Sequence, residues 1–121
     1  MKYLLLVFSL SIFPTWAMAS DCSSKRTAYA GVSALIEGRI RGQYDVLKLM
    51  LDTKLLTQDI YKEALTSYLD KANTDRENLM VPMANRLKKE CDMPDDLYRK
   101  AVEAKYIFLP EKNAYTISPK N

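Results

Sequence analysis

The chain has 121 residues, 18 of them basic and 15 acidic, with a formal net charge of +3 and no histidine. This near-neutral balance argues against nucleic-acid binding, because nucleic-acid binders cluster Lys and Arg on one face. Without histidine the chain lacks the commonest general base and the commonest metal ligand, so we expect no metal and no cofactor.

Residues 1–19 have the pattern of a secretory signal peptide. Lys2 gives a positive start, residues 3–13 form an apolar core, and Ala17-Met18-Ala19 is a small-x-small cleavage site. The apolar run is shorter than the roughly 20 residues that cross a bilayer. We therefore expect no stable membrane insertion after cleavage, and a soluble protein in the periplasm. Cleavage removes one basic residue, which leaves 17 basic against 15 acidic residues and a net charge of +2.

Residues 20–106 are predicted to form an all-α domain of four or five short helices, because apolar residues recur at helical spacing. The first helix is capped by Asp21 or Ser23. Gly38 and Gly42 bracket Arg39-Ile40-Arg41, and we interpret this bracket as a turn, because glycine tolerates the left-handed backbone that ends helices. A second helix then covers residues 44–52. The apolar stripe of the first helix comprises Tyr29, Val32, Ile36 and Ile40.

A third helix is predicted to begin after Thr57, which can cap it, with Asp59 near the positive end of its dipole. Asn73 is predicted to end this helix. The apolar stripe is the clearest in the chain and repeats every four residues: Ile60-Tyr61, Ala64-Leu65 and Tyr68-Leu69.

Thr74-x-x-Glu77 has the form of a capping box that opens a fourth helix. Pro82 lies too far inside this helix to be a first-turn proline, so it predicts a kink or a restart near Val81. Pro94-Asp95-Asp96 predicts the start of a fifth helix, which ends at Lys105 or Tyr106.

Residues 107–121 have a different composition. Pro110 and Pro119 exclude a helix, and two short apolar runs flank residues 110–113. This pattern fits a small hairpin, an extended segment packed across the helices, or a frayed tail.

The two cysteines, Cys22 and Cys91, are predicted to form a disulfide, since disulfides persist in exported proteins. The bond would close a loop of about seventy residues and stabilise the fold by roughly 4 kcal/mol in the chain-entropy model.

Tyrosine supplies nearly every aromatic ring after residue 19, and it is enriched at protein–protein contacts. Tyr98 lies beside the stripe of its helix and Tyr115 lies in the tail, so both are candidates for exposed contacts with a partner protein. Arg39 and Arg41 of the predicted turn are further candidates.

Catalytic groups are not evident. A serine or cysteine nucleophile has no histidine partner here. Glycan hydrolysis by paired carboxylates stays possible, because that reaction needs two acidic groups facing a cleft. The candidates lie on predicted polar faces: Glu37, Asp45, Asp52 and Glu63.

The segment 56–91 resembles part of the small periplasmic immunity proteins that neutralise cell-wall amidases delivered by type VI secretion. The matching residues are Gln58, Ile60, Tyr68-Leu69, Ala84, Leu87 and Cys91, and Tyr29-Ala30-Gly31-Val32 is similar to a motif in the first helix of that family. The chain departs from the family in having two cysteines where many members have four. The resemblance implies a protein that binds a cell-wall hydrolase and is not itself an enzyme.

The sequence thus predicts an exported, non-catalytic protein that binds and neutralises a partner enzyme in the periplasm, as an immunity or inhibitor protein. A periplasmic stress or holdase chaperone is one alternative, and a small glycan-acting enzyme is another. The sequence leaves open whether the protein forms a homodimer.

Overall fold

The computed structural model describes the backbone of residues 2–119 and the side chains of residues 21–118. The first helix is α1 (Lys2–Asp52), followed by α2 (Gln58–Asp75), a π-helical turn (Arg76–Met80), α3 (Val81–Glu90) and α4 (Asp95–Glu103). A hairpin of β1 (Ala104–Leu109) and β2 (Ala114–Pro119) follows. The π-turn joins α2 to α3 without a break, so the helices form three continuous segments. Within the described part of the chain, no helix is both long enough and apolar enough to cross a membrane.

The predicted turn at Gly38–Gly42 is wrong, because α1 runs through both glycines as one helix. A glycine inside a helix costs about 1 kcal/mol relative to alanine. Burying one isoleucine or leucine side chain stabilises by about 1.5–3 kcal/mol. Ile36, Ile40 and Leu47 are all buried against α2, so tertiary packing outweighs the local preference of glycine.

Thr57 caps α2 as predicted, with its Oγ1 accepting a hydrogen bond from the Ile60 backbone N–H at 3.3 Å. The predicted stripe is confirmed on its inner side, where Tyr61, Leu65 and Leu69 are buried in the main core. Ile60 is exposed. The main core therefore lies between α1, α2 and the hairpin.

The predicted helix break at Asn73 and the capping box at Thr74 are wrong. Thr74 Oγ1 instead donates to the Asp70 carbonyl one turn back, as it does inside a helix. Near Val81, where a kink or a restart is predicted, the π-turn ends and the α-helical pattern resumes without a break in the helix. Pro82 has no N–H and crowds the preceding turn. The wider π-turn, in which the Val81 N–H reaches the Arg76 carbonyl, accommodates it.

The all-α prediction is wrong at the C-terminus, where the predicted alternative of a small hairpin is confirmed. Helix α4 begins at Asp95 as expected but ends at Glu103, and residues 104–106 already belong to β1. The strands pair antiparallel from Ala104–Pro119 to Leu109–Ala114. Gln58 and Tyr61 of α2 hydrogen-bond Asn113 in the hairpin turn, which holds the turn against α2. Met1 and residues 120–121 lie outside the described residues.

The predicted disulfide is confirmed: Cys22 on α1 is bonded to Cys91 at the end of α3, with the two Cα atoms 5.7 Å apart. A second, smaller core surrounds it, and its buried members are Ala84, Leu87, Cys91, Met93 and Ala101. Cleavage of the predicted signal peptide stays a prediction, since the side chains of residues 2–20 lie outside the described ones.

Candidate functional site

A groove runs along α1 beside the hairpin, and we call it the tyrosine groove. It consists of two clefts of about 510 and 540 Å³ that share Ser33, Arg76 and Ile117. Side chains from one face of α1 form one wall, because positions four residues apart lie above each other on a helix. Strand β2 lines both clefts, and α4 forms most of the remaining wall of the smaller one. The α1 wall comprises Tyr29, Ser33, Glu37, Arg41, Tyr44 and Asp45.

Three tyrosine rings tie the walls of the groove together. Tyr115 of β2 contacts Tyr44 of α1 at a centroid distance of 5.2 Å and Tyr106 of β1 at 5.9 Å. Both contacts are edge-to-face, a geometry worth about 0.5–1.5 kcal/mol beyond the buried area. The rings therefore hold β2 beside α1, and all three line the larger of the two clefts.

Arg76 lies at the floor of both clefts and is only 6% exposed. Its Nη2 donates to the Lys100 and Ala101 carbonyls, each at 3.2 Å, and its Nη1 donates to the Met80 sulfur at 3.5 Å. The guanidinium also lies 5.8 Å from the centre of the Tyr106 ring. All of these hydrogen-bond acceptors are neutral, and Nε has no acceptor among the described residues.

The spacing of the buried residues explains why a charged residue faces inward here. Arg76 and Met80 are the buried residues of the π-turn. Arg76 lies four positions after the buried Ala72, so it continues the inner stripe of α2. One consequence is structural: Arg76 hydrogen-bonds carbonyls in the last turn of α4, where cations are favoured.

Three hydroxyls of the groove, those of Tyr29, Tyr106 and Tyr115, stay protonated at neutral pH, because each has a raised pKa. Burial raises the pKa of Tyr29 and of Tyr106, and the positive charge of Arg76 partly opposes both shifts. Burial also raises the pKa of Tyr115, against the opposing effect of Arg41. Each hydroxyl can therefore donate a hydrogen bond to a bound molecule.

The structure brings together two of the four predicted contact residues. Tyr115 and Arg41 both line the groove, where Arg41 Nη2 also contacts Glu37 Oε1 at 3.0 Å. Arg39 lies outside the groove, beside α2, with its Nη1 3.4 Å from Asp75 Oδ2.

Tyr98 also lies outside the groove. It packs on the second core, and its hydroxyl hydrogen-bonds Asn85 Oδ1 at 2.6 Å. Tyr98 and Tyr115 are half-buried rather than fully exposed. A role in partner binding stays a prediction for all four residues.

Sequence reasoning missed Arg76, Tyr44 and Tyr106 as site residues. The four-residue spacing of Tyr29, Ser33, Glu37 and Arg41 is a signal that could have indicated the α1 wall. Arg76 likewise follows Leu65, Leu69 and Ala72 on the inner stripe of α2, but arginine is rarely expected at a buried position.

Two of the carboxylates considered for glycan hydrolysis, Glu37 and Asp45, line the same cleft. They are eight residues apart on α1, which places their Cα atoms about 12 Å apart along the axis. Paired catalytic carboxyl groups lie about 5–9.5 Å apart, and Glu37 is already paired with Arg41. Among the described residues, no group of three or more acidic or cysteine side chains could hold a metal ion.

Comparison with known proteins found no match to a family model, to a curated protein or to a solved structure.

Proposed function

We propose that this chain is an exported, non-catalytic protein that binds and neutralises a partner enzyme in the periplasm. The observation that carries the proposal is the tyrosine groove, which combines tyrosine rings with a buried guanidinium. Tyrosine and arginine are enriched among the residues that dominate binding energy at protein interfaces. The walls of the groove belong to α1 and to a hairpin held by several contacts, so little ordering is needed on binding.

The proposed location rests on two features. The Cys22–Cys91 bond suits an oxidising compartment, because disulfides are rare in reducing cytosol. Residues 1–19 have the composition of a signal peptide that directs export to such a compartment. The resemblance of residues 56–91 to amidase immunity proteins makes a cell-wall hydrolase the proposed partner class.

The test uses the protein expressed with its own leader and purified from the periplasm without reducing agent. We expect it to retain one enzyme from periplasmic extract, or the product of a neighbouring toxin gene. The activity of that enzyme should fall in proportion to the added protein until the two are equimolar. Turnover of cell-wall substrate by the purified protein, or cells that survive the toxin without it, would contradict the proposal.

Two exposed arginines on α1 provide a matched pair of variants. Arg41 faces the groove and Arg39 faces away from it, and their side chains are 67% and 56% exposed. Arg41→Glu should weaken enzyme binding at least tenfold, or about 1.4 kcal/mol, because it reverses a charge on the contact surface. Arg39→Glu should leave binding within twofold. Equal effects would show that the groove is not the contact surface.

A holdase chaperone is the second candidate, and exposed apolar side chains favour it. Leu35 and Leu49 on α1 and Leu55 in the following loop are 63–72% exposed. If the protein binds unfolded clients in acid, its near-ultraviolet circular dichroism should change by about pH 3, as its carboxylates become protonated. An unchanged spectrum would remove this candidate and leave the inhibitor.

A further inference from the structure

The outer edge of β2 carries backbone groups that point away from β1. The Tyr106 N–H donates to Asn73 Oδ1 at 2.7 Å, and the Tyr106 carbonyl accepts from Asn73 Nδ2 at 2.9 Å. Both backbone groups of Tyr106 therefore face α2 and not β2. In an antiparallel pair, residues directly opposite either exchange both hydrogen bonds or exchange neither. Ile117, opposite Tyr106, must then direct its N–H and carbonyl to the outer edge of β2.

The alternation between hydrogen-bonded and non-hydrogen-bonded pairs also fixes the orientation of the Tyr115 backbone. Tyr115 lies opposite Phe108, so its backbone groups also face the outer edge. The structure shows no hydrogen bond to these outward groups of Tyr115 and Ile117 from residues 21–118. The edge of β1 is covered by Asn73, whereas the edge of β2 is available. Such an edge, with a donor and an acceptor about every 6.8 Å, pairs with an added strand.

An apolar surface lies next to this edge. Ile117 is 47% exposed although it lies opposite the buried Tyr106, and Leu97 of α4 is 49% exposed. Both side chains line the same cleft. A strand added to β2 would therefore place alternate side chains over an apolar surface, which is how strand addition gains specificity.

The charges of this cleft favour an acidic residue on the added strand. Arg76, Arg99 and Lys100 line it with one carboxylate, Glu103, which gives a local charge of +2. Arg76 uses three of its five N–H donors on neutral acceptors. Its Nε–H is buried and unpaired. A buried cation of this kind gains most from a carboxylate, because charge-assisted hydrogen bonds are about twice as strong as neutral ones.

We propose that an extended segment of the partner adds to the outer edge of β2 as a third strand and places an Asp or Glu carboxylate on Arg76. This inference rests on the proposed function, since it assigns the segment to the partner enzyme. Arg76 keeps its structural contacts to α4 in the complex, because the carboxylate accepts from the Nε–H that those contacts leave free, once the groups that cover this buried atom move aside.

The first experiment uses a defined probe and the oxidised protein. The probe is a capped heptapeptide of alternating threonine and valine with a central aspartate, and the control peptide carries asparagine instead. We expect the probe to slow amide exchange at Tyr115 and Ile117, and to shift the Arg76 Nε–H resonance. The asparagine peptide should bind at least tenfold more weakly. Equal binding of the two peptides, or no shift with millimolar probe, would overturn the proposal.

The second experiment removes one outward donor. Ile117→Pro deletes the outward N–H at the free edge and keeps every hydrogen bond between β1 and β2. Proline is tolerated at such edge positions. Ile117→Val is the matched control, which keeps the N–H. We expect the proline variant to bind the probe at least tenfold more weakly and the valine variant to bind within twofold of wild type. The Thr116 amide faces β1 and should exchange slowly in an intact hairpin, so it reports whether the hairpin has formed.

The two proposals fail in different ways. If Ile117→Pro, with its hairpin intact, still neutralises the partner enzyme as well as wild type, the strand addition is refuted and the proposed function stands. If the aspartate peptide binds as described but no enzyme is neutralised, the proposed function is refuted and the strand-binding edge stands. If the proline variant does not fold, the comparison of the two peptides on the wild-type protein decides.

Discussion

Breaking the Cys22–Cys91 bond should destabilise the protein severely. The two cysteines are 69 positions apart, and the chain-entropy relation for a loop of that length gives about 4 kcal/mol at room temperature. The net stability of a small domain is only about 5–15 kcal/mol. Most or all of the stability can therefore depend on this bond, which links Cys22 of α1 to Cys91 at the end of α3.

The assay is urea unfolding followed by far-ultraviolet circular dichroism, with and without reducing agent. Reduction keeps both sulfur atoms in place, so it separates the effect of the link from that of side-chain packing around the buried Cys91. We expect the free energy of unfolding to fall by about 4 kcal/mol, and Cys22→Ala combined with Cys91→Ala to lose at least as much. A loss below about 1 kcal/mol would refute the reasoning, since the link would then hardly restrict the unfolded chain.

Four further outcomes are expected. Thr57→Ala removes the cap of α2 and should lower the free energy of unfolding by about 1 kcal/mol in a urea titration, whereas Thr66→Ala on the exposed face of α2 should change it little. Asn73→Ala leaves two backbone groups of Tyr106 without partners, so it should cost about 1–3 kcal/mol and speed exchange of the Tyr106 amide; Asn78→Ala is the exposed control. Burial raises the pKa of Tyr61 to about 12. Because that folded value lies above the ordinary 10, the contribution of the Tyr61 hydroxyl to stability should be complete below pH 10 and lost as the pH rises towards 12. The ionisation of Tyr61 should appear as a late step in phenolate absorbance, and Tyr61→Phe should remove that step. Hydrogen bonds from Lys25 and from Lys88 lower the pKa of Glu90 and of Asp95, respectively. The stability that these carboxylates contribute should therefore be present above pH 4.5 for Glu90 and above pH 3.8 for Asp95, and be lost as the pH falls below those values. Removing the two lysines should make the free energy of unfolding fall less steeply with decreasing pH.

Local chemistry accounts for the features that could be predicted. Thr57 caps a helix because its side-chain oxygen reaches an N–H three residues on, which needs no other part of the molecule. The stripe of α2 faces the core because residues four apart share one side of a helix. The pairing of Cys22 with Cys91 followed because the chain contains no other cysteine.

The candidate site could be predicted only in part. Tyr115 and Arg41 were identified as contact candidates, yet their neighbourhood depends on a hairpin that folds back beside α1. Tyr98 and Arg39 looked equivalent to them in sequence, but the structure separates them from the groove. Residue type indicates what a side chain can bind, whereas the tertiary fold decides which side chains meet.

The sequence by itself determined the helical stripes, the cap at Thr57 and the identity of the disulfide, because each depends on spacing along the chain or on composition. Only the tertiary structure decided that α1 continues through Gly38 and Gly42, since burial against α2 outweighs the cost of two glycines. It also decided that the Arg76 charge can lie inside, because carbonyl groups of α4 accept hydrogen bonds from its guanidinium. The groove between α1 and β2 depends on contacts between segments more than seventy positions apart, and no local pattern encodes such distant contacts.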